Sequence, residues 1–221
     1  MPVRVLGIDG CKGGWVAVAL EDGRFTGLHV VPSISELVAD PATVIGIDMP
    51  MGETTPGARA GDAAARRYLG PRRSTIFTPP PLAAAVDDYE AAKRIAIATT
   101  GKSISRQAWN LLPKMRDAAP HWARDPGRIR EVHPECSFAT MAGAPLASSK
   151  KSRAGLDERR ALLDAHGIAV PEPRVRGTKP DDVLDAAGVA WTAHRVATGI
   201  AMSLPDPPER DAEGRPVAVW R

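Results

Sequence analysis

The sequence predicts an α/β protein with a mixed β-sheet, and three observations support this fold class. Three runs of largely apolar residues open the chain, at 3–9, 15–20 and 24–31, as expected of an antiparallel meander. A fully apolar run at 43–48 indicates a strand buried on both faces, which is typical of parallel pairing. Most of the remaining chain has helical patterning, with one more strand expected at 128–133. Because strands and helices do not alternate strictly, the sheet is expected to be mixed.

The segments between these strands also carry local signals. Asp22-Gly23 fits a tight hairpin between the second and third strands. Gly10, Gly13 and Gly14 lie between the first two strands, where a tight turn requires positive φ. The helices are expected from about 33, then at 58–69, 87–99, 105–118, 155–166 and 181–198. The last is the clearest, because its apolar residues form one stripe. The proline-rich tail is expected to end in a short strand at 216–220.

Composition limits the classes of protein that this chain can represent. Its 221 residues suffice for one substantial core, and 43% hydrophobic with 25% charged residues is ordinary for a globular protein. No apolar stretch approaches the roughly 20 residues needed to span a bilayer, and the start does not resemble a signal peptide. We therefore expect a cytoplasmic protein that does not bind membranes. Cys11 and Cys136 fit neither a disulfide framework nor a zinc spacing.

Net charge and the search for nucleotide-binding motifs exclude few further classes of protein. The 29 basic and 26 acidic side chains leave a charge of +3, which alone does not indicate a nucleic-acid binder. Neither the dinucleotide-binding pattern GxGxxG nor the phosphate-binding pattern GxxxxGK[ST] is present, which disfavours both of those folds. Candidate chemistry must therefore come from individual polar residues.

Two aspartates follow apolar strands at equivalent positions. Asp9 ends the first strand and Asp48 ends the strand at 43–48. The carboxyl edge of a sheet is where α/β proteins bind their ligands. Two carboxylates at neighbouring strand ends repel each other unless they are protonated or bridged by a cation. Hard divalent cations prefer oxygen ligands, so Mg²⁺ or Mn²⁺ is the expected occupant.

The last long helix opens with three more acids. Asp181 and Asp182 are ordinary partners for a helix N-terminus, which explains them without any function. Asp182 and Asp185 are three residues apart and share a helix face. Asp185 falls near the apolar stripe and is expected to be partly buried, where a carboxylate needs a cation.

The segment 131–135 is a third acidic candidate. Glu131, His133 and Glu135 alternate, so on a strand they would share one face. Such a face is either a second metal-binding set or an exposed polar surface. Glu135, near the strand end, is the better candidate for a metal ligand, and the roles of Glu131 and His133 stay open.

Six ordered motifs resemble the domain-of-unknown-function family 429, described as predicted nucleases of ribonuclease H fold. They are GIDGCKGGW at 7–15, IDMPMG at 47–52, RRSTIF at 72–77, GKSISRQAW at 101–109, EVHPE at 131–135 and DDVLDA at 181–186. The resemblance implies one ribonuclease H-like domain over 1–221, with sheet order 3-2-1-4-5 and flanking helices. The helical insertion at about 49–127 is unlike the compact junction resolvases of that superfamily.

The resemblance also implies a chemistry and a set of site residues. Resolvases bind two metal ions through a first-strand Asp, a fourth-strand acid and last-helix acids, which correspond here to Asp9, Asp48 and Asp185, with Asp182 next. Asp48 stands where resolvases typically use the longer Glu. The implied reaction is phosphodiester hydrolysis of DNA or RNA with two metal ions. Phosphate contacts are expected from basic residues, with Lys102 as the catalytic candidate and Arg106, Lys150 and Lys151 beside it. Resolvase-like relatives are often dimers, so a homodimer is one expected assembly.

Two alternatives stay open at this point. A phosphotransferase or phosphatase of the related actin-like ATPase fold would use the turn at 9–14 to hold phosphate through its amides. Such enzymes usually need two domains, and this chain has room for one. A non-catalytic binding module would keep the fold and use the basic segments to bind a partner.

Overall fold

The central sheet contains five strands in the order β3-β2-β1-β4-β5 in a computed structural model that describes residues 2–52, 58–171 and 176–221. The strands are β1 (Arg4–Cys11), β2 (Gly14–Glu21), β3 (Arg24–Val31), β4 (Val44–Ile47) and β5 (Ile129–Glu131). The first three form an antiparallel meander, and β4 pairs in parallel with both β1 and β5. The mixed α/β fold and the strand order expected from the sequence are confirmed.

Seven α-helices are present in the described part of the chain. They are α1 (Ser35–Val38), α2 (Ala60–Leu69), α3 (Tyr89–Thr100), α4 (Arg106–Arg124), α5 (Pro134–Ala142), α6 (Arg153–Ala165) and α7 (Pro180–Ala197). Short 3-10 helices at Gly70–Thr75 and Leu82–Ala84 connect α2 to α3. The segment between β4 and β5 is therefore mainly helical, as expected. Within the described ranges, no helix has both the length and the apolar character needed to cross a membrane.

One expectation for secondary structure is wrong, and one strand was not predicted. The strand β5 ends at Glu131, His133 is the N-cap of α5 and Glu135 lies in its first turn, so the three residues do not share a strand face. Pro134 occupies the first position of this helix, where its missing N–H is no loss. In the tail, the proline-rich segment Ser203–Arg210 forms β6, which pairs antiparallel with β7 (Pro216–Trp220). Prolines usually disfavour a strand, and this one was not predicted.

Helices cover both faces of the sheet. On one face Leu6, Ile8, Ile45 and Ile47 pack in one core with residues of α3 and α4, and on the other face Val5, Val16 and Val44 pack with α5, α6 and α7. The side chains of a strand alternate between faces, so Asp9 and Asp48 belong to the face that α7 covers.

A glycine in β1 allows α7 to cross the sheet at short distance. A Cβ added to Gly7 would lie 2.0 Å from the backbone N of Ala190 and 2.3 Å from the carbonyl O of Ala186. No side chain larger than hydrogen fits there. This close approach places the turn of α7 that carries Asp185 over Gly7, which is two residues from Asp9 in β1.

Candidate functional site

Three aspartates from three separate elements meet at the carboxyl edge of the parallel strands, and we call them the carboxylate cluster. Asp9 lies in β1, two residues before the end of the strand rather than at its last position, where it was expected. Asp48 directly follows β4, and Asp185 lies in α7. The backbone N–H of Asp48 donates to the carbonyl of Ile8 at 2.8 Å, which fixes Asp48 next to Asp9. Asp9 and Asp48 are half-buried, whereas the Asp185 side chain is only 1% exposed.

The cluster carries more negative charge than its surroundings stabilise. Burial raises the pKa of Asp48 to about 7 and that of Asp185 to about 6. Burial also raises the pKa of Asp9 well above its usual value, and the nearby charges of Asp48 and Asp185 raise it further. Asp48 shares a hydrogen bond with Asp9. At neutral pH the cluster therefore holds at least part of a proton that isolated aspartates would release.

Lys150 is the cation in direct contact with the cluster. Its Nζ donates to Oδ2 of Asp185 at 2.5 Å, and 36% of its side chain is exposed. Burial lowers the pKa of Lys150, but the charges of Asp185, Asp48 and Asp9 outweigh burial and raise it overall. The other carboxylate oxygen of Asp185, Oδ1, is buried and has no hydrogen-bond partner. A buried carboxylate oxygen without a donor is a place where a cation or a proton is favoured.

The carboxylate cluster opens into a cleft of about 500 Å³, a volume typical of small-molecule sites. Asp9 and Asp48 lie in its wall together with basic and hydroxyl side chains. These side chains include Arg72, Ser74, Lys150 and Lys151, and His133 also lines the cleft. A cleft that combines carboxylates with several basic side chains has the composition expected for an anionic substrate held near a metal ion.

Glu131, at the end of β5, belongs to a structural ion cluster. Its Oε2 accepts hydrogen bonds from the backbone N–H of Met51 at 2.7 Å and from the Arg59 guanidinium. Arg59 also donates to Asp62 at 3.1 Å and to the Met51 carbonyl at 3.2 Å. Burial raises the pKa of Glu131 to about 7, and Arg59 opposes the shift. Because an arginine lies between both acids, this cluster ties the segment after β4 to α2.

Glu135, the predicted metal ligand of this segment, is bound by arginines. Its Oε1 accepts from Nη2 of Arg159 at 2.6 Å and lies 3.6 Å from Nη2 of Arg72. The Arg159 side chain is fully buried, donates to the Gly155 carbonyl at 3.0 Å and lies over the Phe138 ring. With two guanidinium groups at one oxygen, Glu135 has its charge satisfied without a metal ion.

Of the remaining predicted residues, only His133 lines the cleft. Asp182 accepts from the backbone N–H of Lys179 at 2.8 Å and so caps α7, the role that its position in the first turn allowed. Lys102 and Arg106 are exposed, and neither lines the cleft. Arg106 instead stacks on Tyr89 at 4.1 Å. His133 lines the cleft, and burial lowers its pKa to about 4, which keeps the imidazole neutral.

The contacts that assign these acids to separate roles were not predicted. Lys150 was expected only as a phosphate contact, and its hydrogen bond to Asp185 was not foreseen. Arg72 was not singled out as a site residue. The one available signal for Arg72 was its place in the RRSTIF motif at 72–77. Cys11 and Cys136 are both free and buried, as expected of reduced thiols.

The donor set of the carboxylate cluster fits a hard divalent cation. All of its donors are carboxylate oxygens, the Asp185 Oδ1 atom lacks a partner, and the charge repulsion is of the kind that such a cation relieves. Among the described residues, no three His, Cys, Asp or Glu side chains are arranged to enclose a metal ion as they stand. Lys150 takes the second oxygen of Asp185, so a bound cation would compete with this ammonium group.

Comparison with known proteins places the chain in a family. No curated protein and no solved structure matches it. One family model matches most of the chain, from the strand that carries Asp9 to the end of β6. Over residues 7–210 the chain belongs to the family described as Protein of unknown function (DUF429).

Proposed function

We propose that this protein is a divalent-metal-dependent hydrolase of phosphodiester bonds in nucleic acid, a nuclease of the ribonuclease H-like class. The observation that carries the proposal is the meeting of Asp9, Asp48 and Asp185, from three elements, beside one cleft that Asp9 and Asp48 line. Burial raises the pKa of all three, and the charge of Asp185 raises the pKa of Asp9 and Asp48 further. Carboxylates with raised pKa values that converge beside a cleft are candidates for a functional site.

The sheet order supports the ribonuclease H-like assignment. An antiparallel meander followed by parallel strands, in the order β3-β2-β1-β4-β5, is the arrangement that the resemblance implied. In this arrangement the first-strand acid, the fourth-strand acid and an acid of the last long helix fall on one side of the sheet. Asp9, Asp48 and Asp185 occupy those three positions. A shared fold is weaker support than the site itself, because one fold hosts many functions.

The metal ion we propose is Mg²⁺ or Mn²⁺, and its ligands are the three residues of the carboxylate cluster. A bound divalent cation supplies Lewis-acid chemistry, because it polarises a phosphoryl oxygen and lowers the pKa of bound water. Glu135 and Asp182, which the sequence also suggested as ligands, contact Arg159 and the Lys179 backbone. The proposal therefore assigns them no metal contact.

The protein's own cations act on the substrate. Lys150 lies between the cluster and the open cleft, and its exposed fraction leaves the ammonium group able to donate to a phosphate oxygen. With Asp185 engaged by a divalent cation, Lys150 would be able to stabilise the negative charge that develops on the phosphoryl group. The exposed Lys151 lines the same cleft and contributes attraction for the phosphate backbone.

Cleavage of a labelled substrate panel tests the proposal. The panel contains single-stranded and duplex DNA and RNA, an RNA–DNA hybrid and a four-way junction, each with Mg²⁺, Mn²⁺ or EDTA. We expect metal-dependent cleavage that Asp9→Asn reduces by about 10³-fold or more. The matched control is Asp164→Asn, which changes an exposed aspartate of α6 and should retain full activity.

The panel also separates the two alternatives. Hydrolysis of a small phosphate ester, with no cleavage of any nucleic acid, would favour the phosphatase alternative at the same site. Absence of all turnover, together with nucleic-acid binding that survives Asp9→Asn, would favour a binding module. Either result contradicts the proposed nuclease.

A further inference from the structure

A positively charged triad lies at the same cleft as the carboxylate cluster. It consists of Arg72, in the 3-10 helix after α2, with Glu135 and Arg159 behind it. Two guanidinium groups and one carboxylate leave a net charge of +1. The buried Arg159 and Glu135 cannot present that charge to solvent, because their side chains are 0% and 6% exposed. The excess positive charge is therefore presented by Arg72, which is 23% exposed and lines the cleft.

The Arg72 guanidinium is oriented and still has free donors. Glu135 lies 3.6 Å from one terminal nitrogen, Nη2, and Arg159 fixes Glu135 from behind at 2.6 Å. The Nε–H of Arg72 is buried and has no partner. A guanidinium group has five N–H donors in a planar fork that matches phosphate, and a buried unpaired donor favours the arrival of an acceptor.

The surroundings favour an anion over a neutral ligand. The exposed residues Ser74 and Lys151 line the same cleft as Arg72. The Thr75 hydroxyl donates to the Arg72 carbonyl at 2.8 Å and so stabilises the turn that presents the arginine. The neighbouring Arg73 is exposed and does not line the cleft.

We propose that Arg72 is the phosphate-binding residue of this cleft, oriented by Glu135 and Arg159 as positioning residues. The inference deepens the proposed function, because it assigns the group that would hold the substrate phosphate. It does not depend on hydrolysis. The recognised chemistry is a phosphate group, which an internucleotide phosphodiester and a small phosphate ester both supply.

Binding measurements in EDTA test this inference without metal or turnover. Titration calorimetry with inorganic phosphate at pH 7 should show binding to the wild type that Arg72→Ala weakens about 10-fold or more. Arg72→Lys keeps the charge but loses the fork, so its affinity should fall between those two. Arg73→Ala is the matched control and should bind within about 2-fold of the wild type. Thermal melts of each variant verify that it is folded.

Two further measurements identify the source of the phosphate and the positioning role. Anisotropy of a labelled oligonucleotide shows whether the loss in Arg72→Ala extends to internucleotide phosphate or is confined to inorganic phosphate. Either pattern supports the shared chemistry. Glu135→Gln should change the phosphate affinity of the otherwise wild-type protein, and combining it with Arg72→Ala should add little to the loss from Arg72→Ala, because Glu135 acts through Arg72.

Three results would overturn the inference. They are a wild type that binds no phosphate, an Arg72→Ala variant that binds as well as the wild type, and fully additive losses in the double variant. A cleavage panel without activity would contradict the proposed nuclease and leave these binding results standing.

Discussion

Two groups of acidic residues lie within the same cleft region and differ in how their charge is satisfied. The carboxylate cluster has Lys150 as the cation in direct contact, and one buried oxygen of Asp185 has no partner. Glu131 and Glu135, which we call the arginine-bound glutamates, each accept directly from a buried arginine. The comparison separates function from structure: a satisfied carboxylate stabilises the fold, whereas an unsatisfied one stores repulsion that a cation or a substrate can relieve.

Substitution of the arginine that binds one of the arginine-bound glutamates should give the largest change in stability. Arg159→Met leaves Glu135 buried with Arg72 as its remaining, more distant partner. We expect the free energy of unfolding to fall by about 3–5 kcal/mol, because an uncompensated buried charge is left behind. Chemical denaturation measures the change.

The matched control lies on the same helix. Arg153 is 88% exposed and pairs with Asp157, so Arg153→Met should alter stability by less than about 0.5 kcal/mol. If both variants lost the same stability, the arginine-bound glutamates would not differ from surface pairs, and the comparison would fail.

Lys150→Met should destabilise the protein by a smaller amount, about 2 kcal/mol, because its partly exposed ammonium group is screened by water. This variant leaves the carboxylate cluster without its contacting cation. We therefore expect Mn²⁺ to raise the melting temperature of Lys150→Met more than that of the wild type, as ligand binding to the folded state stabilises it. Differential scanning fluorimetry with and without Mn²⁺ gives both quantities.

Lys151→Met, at the adjacent exposed position, serves as the control and should respond to Mn²⁺ like the wild type. An equal response of all three proteins would mean that Lys150 and the metal ion do not compete for Asp185.

Asp48→Asn should change stability in the opposite direction. The pKa of Asp48 is raised by burial to about 7 in the folded protein, so between about pH 4 and pH 7 the folded state binds more protons than the unfolded chain. The contribution of Asp48 to the free energy of unfolding of the wild type therefore decreases as the pH rises through that window. Asparagine does not titrate, and we expect it to stabilise the protein by about 1–2 kcal/mol at pH 8 and by almost nothing at pH 4.

Thermal melts of wild type and Asp48→Asn across that pH range measure the difference. Asp164→Asn, at an exposed position, should give a difference that does not vary with pH in the same way. A destabilised Asp48→Asn at pH 8 would show that Asp48 is a structural residue like the arginine-bound glutamates.

Local patterns in the sequence indicated the members of the carboxylate cluster, whereas their meeting at one site depended on the strand order. An acid at the end of an apolar strand falls at a sheet edge, and the alternation of side chains sets its face. Asp185 was indicated by its place beside the apolar stripe of α7. The strand order was also predicted, although only from the resemblance of the motifs to a known family.

The partners of Glu131 and Glu135 could not be predicted, because they lie far away in the sequence. Arg59 is 72 residues from Glu131, and Arg159 is 24 residues from Glu135. No local period links such pairs, so tertiary packing alone decides which acids receive an arginine. The same limit explains β6, whose prolines oppose a strand locally while its pairing with β7 stabilises one.

Substitution of Lys102 gives the smallest expected effect on cleavage. It tests directly whether a local motif can assign a role that depends on tertiary position. Its motif suggested a catalytic role, yet its side chain is exposed and does not line the cleft. We expect Lys102→Ala to lower the rate of nucleic-acid cleavage by less than about 3-fold, since a rim charge affects encounter rather than chemistry. Lys150→Ala, measured beside it, should lower the rate far more. An attraction between exposed charges weakens steadily with added salt. If Lys102→Ala instead abolished cleavage at every ionic strength, attraction alone could not explain the loss. The segment at 101–105 would then have to move into the cleft when substrate binds.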